Sequence, residues 1–227
     1  MSVNLKIPKR QHIEQIVLKV LESKQDQIAS LMNNFVNQQS PLVVNVSARH
    51  VHLNQAALDK LFGENSRLTK YKVLYNGEFA SEQQVNIIGI RDRMIAGVRI
   101  LGPIRNYNQV ELSYSDGIYL GLDLPLKISG DHENTPGCTL VGPKGSIQLN
   151  AGVIRARRHV HMGQKDLDFY NVKDGDHVKV LIGGQCSTTF DNVVVRYGEN
   201  MKLEVHIDTD EGNACNLQNA ERLEIIK

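Results

Sequence analysis

The chain has 227 residues, 41% of them hydrophobic and 22% charged, with a formal net charge of +1. That length holds one large domain or two small ones, each able to bury a core. A near-neutral surface gathers no nucleic acid, and 5% aromatic residues leave few stacking platforms, so nucleic-acid binding is disfavoured.

Residues 9–36 read as an amphipathic helix, with Ile13, Ile16, Val17, Val20, Leu21, Ile28, Leu31, Met32 and Phe35 at three-to-four spacing, broken once at Lys24. Asn37 to Pro41 end it. Glu14 and Lys19 interrupt its apolar run, so no uninterrupted apolar core of a signal sequence is expected there. No stretch of the chain approaches the ~20 apolar residues of a membrane span. Cys138, Cys186 and Cys215 are odd in number and form no Cys-x-x-Cys pair, which fits reduced thiols. The expectation is a cytoplasmic protein with no membrane among its partners.

From Pro41 the texture turns to short β-rich runs, including 42–46, 84–90, 98–101, 110–112, 178–182, 193–195 and 203–207, separated by glycine-containing turns. Short helices are expected at Gln55–Phe62 and Gln164–Tyr170. Val141-Gly142-Pro143-Lys144-Gly145-Ser146 resembles a phosphate loop superficially. Its glycine, lysine and hydroxyl are in the wrong order, and Pro143 lacks an amide donor, so it reads as a tight turn between strands at 139–141 and 146–149. The predicted fold class is mainly β with short helices. Two tandem β-barrel domains arise from an internal duplication, preceded by the N-terminal amphipathic helix. The expected division is 1–40, 41–150 and 151–227.

The duplication is visible in Arg-His-Val-His, which occurs at 49–52 and again at 158–161. In an extended strand residues i and i+2 share a face, so each His-x-His presents two imidazoles together. The repeat continues, since Glu111 to Gly117 aligns with His206 to Gly212 and Leu122 with Leu217. Each half thus offers three donors: His50, His52 and Glu111, then His159, His161 and His206. Two or three imidazoles with at most one carboxylate is the ligand style of catalytic zinc, and the lack of cysteine argues against a structural site. A lone histidine is more often a hydrogen-bonded structural residue. His12, His132 and His177 lack such partners and are read that way.

Arg49 and Arg158 flank the pairs on the opposite strand face and are expected to brace the fold or a neighbouring carboxylate. Arg105 follows a Gly-Pro turn six residues before Glu111. On position alone it reads as a surface ion pair more readily than as a bidentate phosphate contact. Metallo-β-lactamase-type hydrolases and cupins are both weakened, because Leu53-Asn54 and Gln55-Ala56 stand where those families need Asp-His or glutamate.

The motifs Ser47–Leu53, Leu101-Gly102-Pro103, Gln109-Val110-Glu111, Leu140–Ser146, Ala156–Met162, Phe190–Val194 and Val205–Glu211, taken in order, resemble the propanediol-utilisation type phosphotransacylase family, the phosphate propanoyltransferases. The resemblance runs from about Pro41 to the C-terminus. It implies two β-barrel domains with a dinuclear zinc site between them and reversible acyl exchange between coenzyme A and inorganic phosphate. Carried over by motif, His50, His52 and Glu111 hold one zinc ion and His159, His161 and His206 the other. Arg105 matches the phosphate-binding, catalytic arginine, and Ser47, Lys72, Arg99, Leu101 and Asn213 fall where the family contacts coenzyme A. The first strand of such proteins can pack into the opposite half. Members housed in bacterial microcompartments often carry an N-terminal amphipathic helix that directs encapsulation. Residues 9–36 suit contact with shell or core proteins and ordinary packing equally, and homo-oligomerisation is left open. A dizinc thioester or phosphoester hydrolase and a non-catalytic microcompartment scaffold remain as other readings.

Overall fold

Alternating apolar and polar residues beyond residue 41 form strands that curl into two sheets, each a half-barrel. The computed structural model describes residues 10–25, 27, 40–74 and 77–226. The chain divides into two units, 1–41 and 42–227. In the first, helix α1 spans Arg10–Ser23, with Arg10 paired to Glu14 one turn on at 2.8 Å. It stops just before Lys24, where the apolar spacing breaks. The part of the expected helix at 28–36 lies outside the described residues.

The second unit holds the strands. The first-half elements are β1 (Val43–Ser47), β2 (His50–His52), α2 (Gln55–Phe62), β3 (Lys70–Val73), β4 (Phe79–Ile88), β5 (Met94–Gly102), β6 (Gln109–Glu111), α3 (Tyr114–Leu120), β7 (Leu126–Lys127), β8 (Cys138–Val141) and β9 (Ser146–Leu149). The second-half elements are β10 (Val153–Ala156), β11 (His159–Met162), α4 (Gln164–Tyr170), β12 (His177–Gly183), β13 (Thr188–Tyr197), β14 (Glu204–Asp208), α5 (Thr209–Ala214) and β15 (Arg222–Ile226). Helices α2 and α4 match the expected bounds. Helices α3 and α5 were not expected from apolar periodicity, because their buried faces are largely polar or glycine: Asp116, Gly117 and Leu120 in one, Glu211 and Gly212 in the other. Their signal is instead the capping box: Ser113 caps Asp116 N–H and Asp208 caps Glu211 N–H, each answered by the acidic residue bonding back.

Strand order shows how the halves are tied together. One sheet runs β7-β10-β6-β2-β5-β4-β8-β9 with β3 on β4, and the other runs β1-β14-β11-β13-β12-β15. Strand β1 precedes the first His pair yet pairs in parallel with β14, and β10 precedes the second pair yet lies parallel to β6 and β7. Each sheet therefore borrows the strand that introduces the other's His pair. Gly152 makes the approach possible, since its φ of +101° is costly for other residues and an added Cβ would stand 2.8 Å from the Asn108 carbonyl oxygen. Arg155 on β10 pins the exchange by donating to Asp208 at 2.9 Å.

Each sheet buries its own core. Val51, Ile87, Ile100, Val110 and Leu140 fill the first, and Val160, Ile182, Val193, Val205 and Ile207 the second. Fully burying each such side chain is worth roughly 1.5–3 kcal/mol. The central valine of each His-Val-His is fully buried in these cores, at 0% exposure. The pleat then commits both flanking histidines to the opposite face. Among the described residues no helix is long and apolar enough to cross a membrane.

Candidate metal centre

Register places the donors. Antiparallel pairing sets His50 opposite Glu111 and His52 opposite Gln109 in the first sheet, and His159 opposite His206 and His161 opposite Glu204 in the second. The two halves are built alike, with Glu111 and His206 at equivalent positions. In each group of three the potential ligand atoms all lie within 4.8 Å of one another. His50, His52 and Glu111 are buried, whereas His159, His161 and His206 are half-buried. Ser47, Glu111, Ala156, His159, His206 and Asp208 line a common crevice, so donors of both groups face one space.

The imidazoles are oriented by the backbone just before them. His50 Nδ1 lies 2.8 Å from the Ala48 carbonyl oxygen and His159 Nδ1 lies 3.0 Å from that of Arg157. A carbonyl only accepts, so both Nδ1 atoms carry a proton, and each Nε2 offers its lone pair to a cation when the ring is neutral. Burial, reinforced by His50 and Arg105, pushes His52 down to about 3. Burial, with His206 close by, takes His159 to about 4 and His161 to about 3. Burial also lowers His206. Neutral imidazoles are the form that binds a metal. His50 is the exception. Burial lowers its proton affinity, but the Glu111 carboxylate 3.5 Å away more than offsets that and raises it. Burial likewise raises Glu111, and the facing His50 and His52 overcome it, holding the carboxyl at about 2.

The donor sets fit divalent cations by an observation independent of any count. His206 Nε2 is a buried polar atom that makes no hydrogen bond, a costly state that a coordinate bond relieves. The Glu204 carboxylate is 3.3 Å from His206 Nε2 but misaligned for a hydrogen bond, and it accepts from Asn45 at 2.6 Å. The residue two before each third donor is matched to it in polarity. Gln109 donates to the Glu111 carboxylate at 2.7 Å, whereas acidic Glu204 neighbours the His206 imidazole.

Gln109 is fully buried and anchors a wider network. Its amide nitrogen also donates to Ser129 Oγ at 2.8 Å, and its oxygen accepts from Gly130 N–H at 2.7 Å and lies 2.9 Å from His132 Nε2. His132, expected to be structural, is therefore a partner of a partner of Glu111. Arg105 joins through Ser129. One terminal nitrogen donates to Tyr107 Oη at 2.6 Å and Ser129 Oγ at 3.2 Å, the other to Glu78 Oε1 at 2.8 Å. Its backbone N–H bonds the Leu53 carbonyl, one residue past His52. Gln109 and Glu204 were findable from sequence, because they sit at i−2 on the strand face of a donor. Glu78, Tyr107 and Ser129 carry no such signal.

The remaining candidates are spread out. Arg99 pairs in register with His50 and its guanidinium lies 4.4 Å over the Tyr71 ring. Leu101 follows on the same strand, half-buried, and Lys72 is exposed on β3. Ser47 and Asn213 belong to the other sheet's surroundings, at the end of β1 and on α5. Arg49 and Arg158 brace the equivalent helix-capping acids, Asp116 at 3.0 Å and Glu211 at 3.4 Å.

The family model described as phosphate propanoyltransferase matches residues 43–218. The chain is 54% identical over 190 residues to a phosphate propanoyltransferase of Planctopirus limnophila, covering 83% of this chain and 78% of that protein. It is 43% identical to one from Lachnoclostridium phytofermentans over 90% of this chain and 92% of that one, and 44% identical to one from Thermotoga maritima over 82% and 89%.

Proposed function

The chain belongs to the phosphate propanoyltransferase family, and on that premise we propose that it moves a short acyl group, propanoyl or acetyl, reversibly between coenzyme A and inorganic phosphate. The observation that carries the reading is the chain of hydrogen bonds from Arg105 through Ser129 and Gln109 to Glu111, which ties an anion-binding side chain to the donor cluster.

His50, His52 and Glu111 would hold one zinc ion, and His159, His161 and His206 the other. Cations held there would supply Lewis acidity for an acyl carbonyl oxygen and a departing thiolate. Arg105 binds phosphate and holds it toward the carbonyl carbon, which removes much of the entropic barrier to joining two anions. Ser47, Lys72, Arg99, Leu101 and Asn213 contact coenzyme A. Phosphate attacks directly and no cysteine serves as nucleophile. Burial pushes the Cys138 thiol up to about 12 and raises Cys215, so neither supplies thiolate at neutral pH.

The test is thiol release from propanoyl-CoA titrated with phosphate, for the parent and for Arg105→Ala. Saturable phosphate dependence, with a phosphate KM raised at least tenfold in the variant and an unchanged melting temperature, is the expected result. Thiol release that ignores phosphate favours the hydrolase instead, with water as the attacker. The division 1–40, 41–150 and 151–227 belongs to the same proposal, as does encapsulation through residues 9–36. Deleting 1–40 should abolish co-sedimentation with microcompartment shells and leave phosphate-dependent turnover intact.

A further inference from the structure

Arg105 has five N–H donors, and the structure spends them unevenly. Both hydrogens of one terminal nitrogen are taken by Tyr107 Oη and Ser129 Oγ. The backbone N–H is fastened to Leu53. The guanidinium is thus oriented by groups that do not need to move. What remains for an oxyanion is the edge formed by Nε and the other terminal nitrogen, the edge a tetrahedral anion grips with two parallel hydrogen bonds. That terminal nitrogen donates to Glu78 Oε1 at 2.8 Å. The Glu78 side chain is 42% exposed, against 22% for Arg105. Exposed ion pairs of this kind are weak and readily exchanged.

We infer that Glu78 is a resident carboxylate that competes with inorganic phosphate for the free edge of Arg105, and so sets phosphate affinity and screens out weaker anions. The inference rests on the transferase reading only for the identity of the anion. Bound phosphate must displace that carboxylate and then tolerate its negative charge nearby. Both effects oppose binding. Because Tyr107 and Ser129 already fix the guanidinium, Glu78 is not needed to orient it.

The experiment compares the full chain with Glu78→Gln, which keeps the shape and removes the charge, and with Glu78→Ala as a second form. Inorganic phosphate and inorganic sulfate are titrated calorimetrically into each protein, and KM is measured separately for phosphate and for propanoyl-CoA. Phosphate and sulfate are expected to bind about three- to tenfold tighter to both variants, as loss of a half-exposed ion pair and its repulsion allows. The phosphate KM should fall in step, with the propanoyl-CoA KM within twofold of the parent. Equal or weaker phosphate binding in folded variants overturns the inference and assigns Glu78 to positioning Arg105. A parent enzyme whose thiol release ignores phosphate, with tighter calorimetric binding still seen in the variants, overturns the transferase reading and leaves the competition standing.

Discussion

Replacing Gln109 with leucine tests whether Glu111 is held by its neighbour or only by the strand. Gln109 is fully buried, and Leu matches its volume closely, so packing is little disturbed. What disappears is a 2.7 Å hydrogen bond to a buried carboxylate, together with the links to Ser129, Gly130 and His132. Gly130 is exposed, so water replaces its lost partner at little cost. The main loss is the hydrogen bond to a charged acceptor, about 1.5–3 kcal/mol. Part is offset by added apolar burial, leaving about 2 kcal/mol, or ~4–8 °C in a domain of this size. Metal affinity at the His50–His52–Glu111 group should fall about 10–100-fold, as when an outer partner of a ligand is removed. Thermal melts of the metal-stripped protein and metal content after dialysis measure the two effects separately. A variant that melts within 1 °C of its parent and retains both metal equivalents refutes the argument.

Stability of the metal-stripped protein should decline as pH falls from about 6.5 toward 4. His52, His159 and His161 have folded values of about 3, 4 and 3, below the ordinary imidazole value, so the unfolded chain takes up protons that the folded chain refuses. Each such histidine contributes a slope of up to ~1.4 kcal/mol per pH unit, read by urea denaturation across that range. Glu111, held at about 2, adds stability present above its unfolded value and lost on further acidification. Arg155→Met should cost about 1–3 kcal/mol by leaving buried Asp208 without its cation, seen as a lower denaturant midpoint. A chelator should lower the melting temperature of protein purified with metal, and His50→Ala should reduce bound metal from two equivalents toward one, by elemental analysis.

The candidate site was legible in the sequence to the extent that strand pleat dictates direction. His50 and His52 share a face because Val51 between them enters the core, and Val160 does the same for His159 and His161. The same period places Gln109 and Glu204 beside the third donors. His132, read as structural, reaches the network only because the segment after β7 folds back onto Gln109. That is a long-range contact with no local period. Helices α3 and α5 escaped apolar periodicity because they bury mainly acidic residues and glycine, although their capping boxes were written in Ser113–Asp116 and Asp208–Glu211.

By itself, the order of residues determined the strand character beyond residue 41, the duplicated pairs of imidazoles and the third donor of each half. Those features depend on local alternation and on self-similarity, which need no partner to be seen. Tertiary structure decided that β10 trades sheets in return for β1, that Glu111 and His206 open on one crevice, and that Glu78 holds the edge of Arg105. Each of these joins segments far apart in the chain, and only the packing of two cores fixes which surfaces meet.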